Sequence, residues 1–406
     1  MANLAPIFLP KASRRDLAQG TWKTFPDELL IFRDSRVEPR PKIAGFDLDG
    51  TLIRTASGNV FPRDNDDWQL WSSEVVGEIQ RLQDDGFKIC IFTNQKGIHM
   101  KKVSINGFKI KIQKICVKLG VPIQVFISLG TPNYRKPYVG MWELLERAEN
   151  DGVPIDRALS LYVGDAAGRL RTPTRTRPDH SLADRLFAAN LGVPFRTPEQ
   201  FFLKRMEDEP FKLPSFCSAT LLKDANAKNR LFEPASARFP MADVEVVVLV
   251  GPPASGKSTL AARLSTWHDY AIVNQDELKT AAACSQRVAQ LLANRRRVIV
   301  DNTNRDPETR RRYVELAREA GVPCRCVLMD CSVDQAIHNN LYRKITGMAD
   351  EKHKYVNDMV VRMFYNEFKM PTLEEGFTDL VHANFLPDFN GDEERRRIFA
   401  MYLIEK

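Results

Sequence analysis

Two apolar runs, Ile43-Ala44-Gly45-Phe46 and Val244-Glu245-Val246-Val247-Val248-Leu249-Val250, are each followed at once by a cluster rich in small, polar and glycine residues. Runs this short and this apolar fit strands buried on both faces, and such strands belong to parallel sheets covered by helices. Around the first run the alternation continues from Lys42 to about Leu203. Strands are predicted at Lys42–Leu48, Phe87–Thr93, Ile123–Ser128 and Leu159–Val163, with amphipathic helical stretches between them. Around the second, strands are predicted at Tyr270–Asn274, Arg297–Asp301 and Cys324–Asp330, again separated by helical patterns. The fold class expected is α/β, with two three-layer parallel-sheet domains in series.

A chain of 406 residues is too long for one ordinary core and suits two domains. The expected division is an N-terminal extension over 1–40, a first domain over 41–206, a connector over 207–243 and a second domain over 244–406. The connector assignment rests on Pro, Lys, Asn and Ser without clean periodicity. No apolar run approaches the roughly 18–20 residues that span a bilayer, which excludes a membrane-spanning helix. The first twenty residues carry Lys11, Arg14 and Arg15 but no secretory apolar core. Seven scattered cysteines suit reduced thiols; Cys324 and Cys326 read as part of a buried strand rather than as zinc ligands. The net charge of +7 favours polyanionic partners. Two basic clusters stand out: Lys96, Lys101 and Lys102, then Arg169, Arg171, Arg175 and Arg177.

The first cluster is Asp47-Leu48-Asp49-Gly50-Thr51. Residues two apart on an extended segment point to one side, so a strand end delivers both carboxylates to one pocket, and Gly50 lets the chain turn sharply. Phosphoryl transfer to a carboxylate needs a nucleophile, an acid for the leaving oxygen and a cation. Asp47 and Asp49 meet the first two needs, and two facing carboxylates themselves call for a cation.

The second cluster is Gly251-Pro-Pro-Ala-Ser-Gly256-Lys257-Ser258-Thr259, with Walker A spacing. Its backbone N–H groups and helix N-terminus would cradle ATP phosphates, with Lys257 on the outer phosphates and Ser258 on Mg2+. Asp276 ends the next strand segment as a candidate base for an attacking hydroxyl. Asp301 could support the cation through water, and Arg343, on a later helix, could close over the phosphates as a lid.

In order along the chain, the Asp47-to-Thr51 cluster, Thr93-Asn94, Lys136-Pro137 and Gly164-Asp165 resemble the haloacid dehalogenase superfamily. That resemblance implies Asp47 as the nucleophile forming an aspartyl-phosphate and Asp49 as acid and base. It implies Thr93 and Lys136 as phosphate-holding residues. Mg2+ would be held by Asp47, Asp165 and the main-chain carbonyl of Asp49. Asp184, at a helix start, stays open between a supporting carboxylate and a helix cap.

From about Trp22 to Phe389 the whole chain resembles the eukaryotic polynucleotide kinase 3'-phosphatases, through Gly45–Leu52, Ser57–Pro62, Tyr134–Pro137, Val163–Arg169, Ala183–Phe187, Asp301–Asn304 and His338–Asn340. The resemblance implies a haloacid dehalogenase-like Rossmannoid 3'-phosphatase followed by a P-loop 5'-kinase. The expected partners are ATP and DNA with 3'-phosphate or 5'-hydroxyl ends, with repair scaffold or ligase proteins beside them. A monomer in the nucleus, off the membrane, completes the expectation. RNA ends or small phosphorylated metabolites remain the alternative substrates. About forty residues precede the first domain, so the forkhead-associated module of animal members is not expected. Gln275 and Leu341 stand where arginines are expected, which leaves Lys279 as a substitute contact to substrate phosphate.

Overall fold

The computed structural model describes residues 17–100, 103–173, 175–205, 209–228, 230–348 and 355–405. The chain divides into two compact units, Met1–Leu213 with Glu405–Lys406, and Pro214–Ile404. Lys11, Arg14, Arg15, Lys101 and Lys102 lie outside the described residues.

In the first unit the strands are β1 (Gly20–Phe25), β2 (Leu29–Asp34), β3 (Ile43–Phe46), β4 (Ile53–Arg54), β5 (Gln69–Leu70), β6 (Lys88–Asn94), β7 (Ile123–Ser128), β8 (Leu161–Val163) and β9 (Phe195–Arg196). Its helices are α1 (Glu74–Asp84), α2 (Lys96–His99), α3 (Ile105–Leu119), α4 (Gly140–Leu144, continued by a wide π turn over Leu145–Glu149), α5 (Ala183–Leu191) and α6 (Pro198–Phe202). Seven strands form one sheet in the order β1-β2-β7-β6-β3-β8-β9, with β4 and β5 making a separate small hairpin. From β7 to β9 every pairing is parallel, with Phe46 opposite Ile91 on one side and Val163 on the other. Strand β3 is central because both its faces are apolar. Phe46 joins Ile91, Val125 and Val163 in one core, while Phe92, Phe126, Trp142, Tyr162 and Phe187 pack together on the opposite face. Each such side chain removed from water contributes about 1.5–3 kcal/mol. Gly45 admits Tyr162, since a Cβ there would lie 2.8 Å from the ring.

The parallel sheet is extended at one edge by an antiparallel hairpin, β1 with β2, and β2 pairs antiparallel with β7. Residues 20–34 are therefore part of the first sheet rather than an appended extension. Leu29, Leu30, Ile31 and Phe32 are all buried, which is the signature of an inner strand. Strand-helix alternation does not reveal it, because a hairpin has no helix between its strands.

In the second unit the strands are β10 (Phe232–Glu233), β11 (Val246–Val250), β12 (Ala271–Val273), β13 (Val298–Val300), β14 (Cys324–Asp330) and β15 (Asp379–Asn384). Its helices are α7 (Ser218–Lys228), α8 (Lys257–His268), α9 (Gln275–Leu278), α10 (Ala281–Ala293), α11 (Pro307–Glu319), α12 (Val333–Ile345), α13 (Asp358–Glu367) and α14 (Glu393–Ala400). The sheet order is β10-β15-β14-β11-β13-β12, parallel except for β10. Val246, Val248 and Val250 pack into one core and Val247 and Leu249 into the other, so β11 is buried on both faces. Cys324 and Cys326 are buried along β14, as a strand requires. The region expected to be an irregular connector holds α7 and β10. Its sequence hides them because α7 has only a weakly apolar face and β10 is two residues long.

Candidate active sites

Strands β6, β3 and β8 are adjacent, and their carboxyl ends present Thr93, Asp47 and Asp165 to one pocket. This is the edge at which an open parallel sheet binds ligands. Asp47 follows β3 directly, and its N–H donates to Val163 O at 2.9 Å, which ties the strand end to β8. Gly50 turns the chain at φ 85°, and a Cβ there would lie 2.4 Å from Asp165 Oδ2, so the turn accepts glycine alone at this separation.

Lys136 is buried, and its Nζ donates to Asp47 Oδ1 and Asp184 Oδ1, both at 2.6 Å, and to Tyr162 Oη at 2.9 Å. Asn94 holds that lysine in place. Its Nδ2 donates to Lys136 O at 3.1 Å, and its Oδ1 accepts from Lys136 N at 3.0 Å. Asp184 is not a helix cap. It sits inside the first turn of α5, where its Oδ2 accepts from Ala166 N at 3.0 Å and its Oδ1 accepts from Tyr162 Oη at 3.1 Å. A Cβ on Gly164 would lie 2.4 Å from Asp184, so that glycine makes room for the carboxylate.

Among the described residues, one ligand oxygen from each of Asp47, Asp165 and Asp184 lies within 4.8 Å of the others. Burial pushes the Asp47 carboxyl up to about 7 against the pull of Lys136, with Asp184 and Asp49 adding to the rise. Burial and then the Asp47 and Asp184 charges hold the Asp165 carboxyl far above its usual range. For Lys136, burial lowers the proton affinity, but Asp184 and Asp47 outweigh it and raise it overall. Three crowded carboxylates against one ammonium leave excess negative charge, and an all-oxygen donor set is what a hard divalent cation takes. The Asp49 carboxylate stands outside this trio, with Gln95 and Lys111 as its partners.

The second site lies at the end of β11. Ala254 and Gly256 adopt positive φ, 63° and 93°, and α8 starts at Lys257. A Cβ on Gly251 would lie 2.9 Å from both Met329 and Ser255 Oγ, so the loop needs glycine to close against β14. Lys257 Nζ is folded onto Pro252 O at 2.7 Å. Burial pushes the Lys257 ammonium down to about 8, opposed by Asp301 and Asp276 and assisted by Arg343. A cavity of about 450 Å³ opens in front of Gly256, Lys257, Ser258 and Thr259, bordered by Arg343 and Phe385. It pairs a polar phosphate end with an apolar wall, as a nucleotide requires.

Asparagines missed as site residues hold this edge together. Asn274 caps α9 by accepting from Asp276 N at 2.7 Å, and its Nδ2 donates to Asp301 O and Oδ2 at 2.9 and 3.1 Å. Asn302 Oδ1 accepts from Gln275 N at 2.8 Å, and Asn339 on α12 donates to Ala254 O in the loop at 3.0 Å. Asp276 is thereby presented at the start of α9 with its side chain toward solvent. Lys279 donates back to Asp276 O at 2.6 Å, so the substitute contact suggested by the sequence is engaged by its own helix.

The basic clusters divide. Arg169 is buried and pairs with Asp179 at 2.8 Å, Glu199 at 2.7 Å and Glu209 at 3.4 Å. Arg175 pairs with Glu199 at 3.0 Å and Glu209 at 2.9 Å. These two are internal ties of the first unit and not a face for backbone phosphates. Their acidic partners lie up to 40 residues away along the chain, so no local pattern shows them. Arg171, Arg177 and Lys96 are exposed.

A strand-end carboxylate paired with a buried lysine on one unit, with a complete nucleotide loop on the other, defines a two-site α/β enzyme of phosphate chemistry. The polynucleotide kinase 3 phosphatase family matches residues 42–202, and the AAA domain family matches residues 246–369. The bifunctional polynucleotide phosphatase/kinase of Schizosaccharomyces pombe is 37% identical over 363 residues, 88% of this chain and 83% of that protein. The polynucleotide 3'-phosphatase ZDP of Arabidopsis thaliana is 36% identical over 196 residues, 45% of this chain and 27% of that protein. The chain belongs to the bifunctional polynucleotide phosphatase/kinase family. Among the described residues, no helix is long and apolar enough to cross a membrane.

Proposed function

We infer that this chain repairs broken polynucleotide ends, removing the 3'-phosphate at one site and phosphorylating the 5'-hydroxyl with ATP at the other. At the first site Asp47 attacks phosphorus, the bond to the 3' oxygen breaks, and Asp49 gives its proton to the departing oxygen. Asp49 then takes a proton from water, whose oxygen displaces Asp47 and releases inorganic phosphate. Lys136, paired with Asp47 before the attack, and Thr93 beside it would hold the phosphoryl group in line. Asp47, Asp165 and Asp184 would hold a divalent cation such as Mg2+, which supplies charge neutralisation on the phosphoryl group.

At the second site Lys257 and the N–H groups of the loop would hold the ATP phosphates, with Ser258 and Asp301 toward the accompanying Mg2+. Asp276 takes the proton of the attacking 5'-hydroxyl, and Arg343 faces the phosphate end from α12. The observation that carries this reading is that both sets are complete: Lys136 lies 2.6 Å from Asp47 and Lys257 closes a full phosphate loop.

We propose DNA as the polymer, the nucleus as the location, and a monomer assisted by repair scaffold or ligase proteins. The mild basic surplus and the exposed Arg171 and Arg177 support a polyanionic polymer as substrate. The deciding experiment is a paired assay on one nicked DNA, with matched RNA and a mononucleotide as competitors for the assignment. Asp47→Asn is expected to abolish phosphate release and spare kinase labelling, and Lys257→Ala to do the reverse. Faster turnover of the RNA would move the substrate away from DNA.

A further inference from the structure

Asp49 is asked to give and take a proton, yet its side chain is half exposed, with 51% of its surface open. A carboxylate so placed is free to change rotamer or turn into the cation site. Two contacts from different elements oppose that, a hydrogen bond on one oxygen and an ammonium near the other. Gln95 Nε2 donates to Asp49 Oδ2 at 2.6 Å and to Thr93 Oγ1 at 3.0 Å. The carboxylate accepts, so the amide nitrogen of Gln95 is the end that faces it. Gln95 is itself anchored, since its N–H donates to Ser128 O at 2.7 Å across β7.

Lys111 approaches from α3, with its Nζ 3.5 Å from Asp49 Oδ1. It is 4% exposed, beside the core residues Phe108, Ile112 and Ile115 of its own helix. A lysine on a surface helix ordinarily snorkels outward, and burying an ammonium is costly unless it is paired. Its pairing to Asp49 gives this burial a chemical purpose.

We propose that Gln95 and Lys111 are positioning residues that clamp Asp49 outside the Asp47-Asp165-Asp184 trio and aim it at the departing sugar oxygen. This rests on the reading of Asp47 as nucleophile and Asp49 as proton donor. In the first half-reaction the bond from phosphorus to the 3' oxygen breaks as the bond to Asp47 forms, and the proton of Asp49 passes to that oxygen. A sugar alkoxide is a poor leaving group and needs the proton; p-nitrophenolate leaves without one.

The test measures kcat/KM, which reports the steps up to release of the alcohol, on a 3'-phosphorylated oligonucleotide and on p-nitrophenyl phosphate. Full-length Gln95→Ala and Lys111→Met are compared with the parent protein, with the denaturation midpoint of the first unit as the check on folding. The expected result is a loss of about 10- to 100-fold on the oligonucleotide and less than about 3-fold on p-nitrophenyl phosphate. Because Lys111 is packed in the core, Gln95→Ala carries the decision if the lysine variant does not fold. Equal losses on both substrates, or no loss on either, overturn the clamp. If the parent protein hydrolyses neither substrate, the phosphatase reading fails and takes the clamp with it.

Discussion

Asn94 grips Lys136 at both main-chain groups, donating to its carbonyl at 3.1 Å and accepting from its N–H at 3.0 Å. The loop that carries Lys136 is thereby fixed to the end of β6, and the ammonium is delivered between Asp47 and Asp184. Asn94→Ala removes both bonds while leaving every charged group present. Phosphatase kcat is expected to fall on the order of 10- to 100-fold, as for a misplaced catalytic group. Phosphate release from a 3'-phosphorylated oligonucleotide measures it, with kinase turnover unchanged.

Asp184 pairs with Lys136 and also belongs to the carboxylate trio. Asp184→Asn keeps a polar side chain of the same size but removes one charge from the cation site. The Mg2+ concentration giving half-maximal phosphatase rate is expected to rise about 10- to 100-fold, the usual effect of weakening a metal site. Titrating Mg2+ at saturating oligonucleotide would show an unchanged midpoint if Asp184 plays no part.

Asp276 is presented by the Asn274 cap beside the nucleotide loop. Asp276→Asn should retain that cap, because the bond uses the backbone N–H. Kinase kcat is expected to drop about 100-fold or more, as for loss of a positioned base, with phosphatase turnover intact. A loss confined to KM would assign Asp276 to binding.

Arg169→Ala removes a buried guanidinium from Asp179, Glu199 and Glu209, leaving Asp179 with Arg175 at 3.5 Å and the backbone N–H groups of residues 167 and 169. Because Arg175 still pairs with all three carboxylates, the cost falls below the about 3–5 kcal/mol of a fully stranded buried charge, and the first unit is expected to unfold at lower denaturant. Arg171→Ala and Arg177→Ala change exposed residues and should leave stability alone. If they contact the polymer backbone, the salt dependence of DNA binding becomes shallower. Denaturation and salt titration separate Arg169 from the exposed pair.

His338 is buried between the rings of Phe216 and Phe399, with Nε2 3.1 Å from Phe399 O. A carbonyl only accepts, so Nε2 carries the proton of the neutral ring. Burial pushes the imidazolium form down to about 3 from an ordinary value near 6.5. The unfolded chain takes up this proton first as pH falls, so stability is full above about 6.5 and is lost progressively toward 3. From this residue alone the second unit is expected to be about 2 kcal/mol less stable at pH 5 than at pH 7. His338→Gln should flatten that part of the pH profile of denaturation.

Strand ends and their motifs were legible because they are local. An apolar run followed by Asp47-Leu48-Asp49-Gly50-Thr51, or by Gly251 through Thr259, specifies a strand, a turn and a chemical group within a dozen residues. Thr93 and Asp165 lie at the ends of their strands, whereas Lys136, in a loop beyond β7, was legible only through the resemblance of the motif order to a known family. The hairpin of β1 and β2 was not legible, because its partner β7 lies about ninety residues onward and antiparallel edges leave no alternation with helices.

What tertiary structure alone decided is which charges meet. Asp184 reads equally as a helix cap until Gly164 opens space for it beside Lys136. Arg169 and Arg175 read as a basic surface until Glu199 and Glu209 fold over them. Nothing in the local sequence marks Lys111, which α3 buries within 3.5 Å of Asp49. The sequence by itself determined two parallel-sheet units and the chemical groups at their strand ends, since backbone geometry follows from local pattern. Pairing among those groups depends on distances of a few ångströms between segments far apart in the chain, and only packing sets those distances.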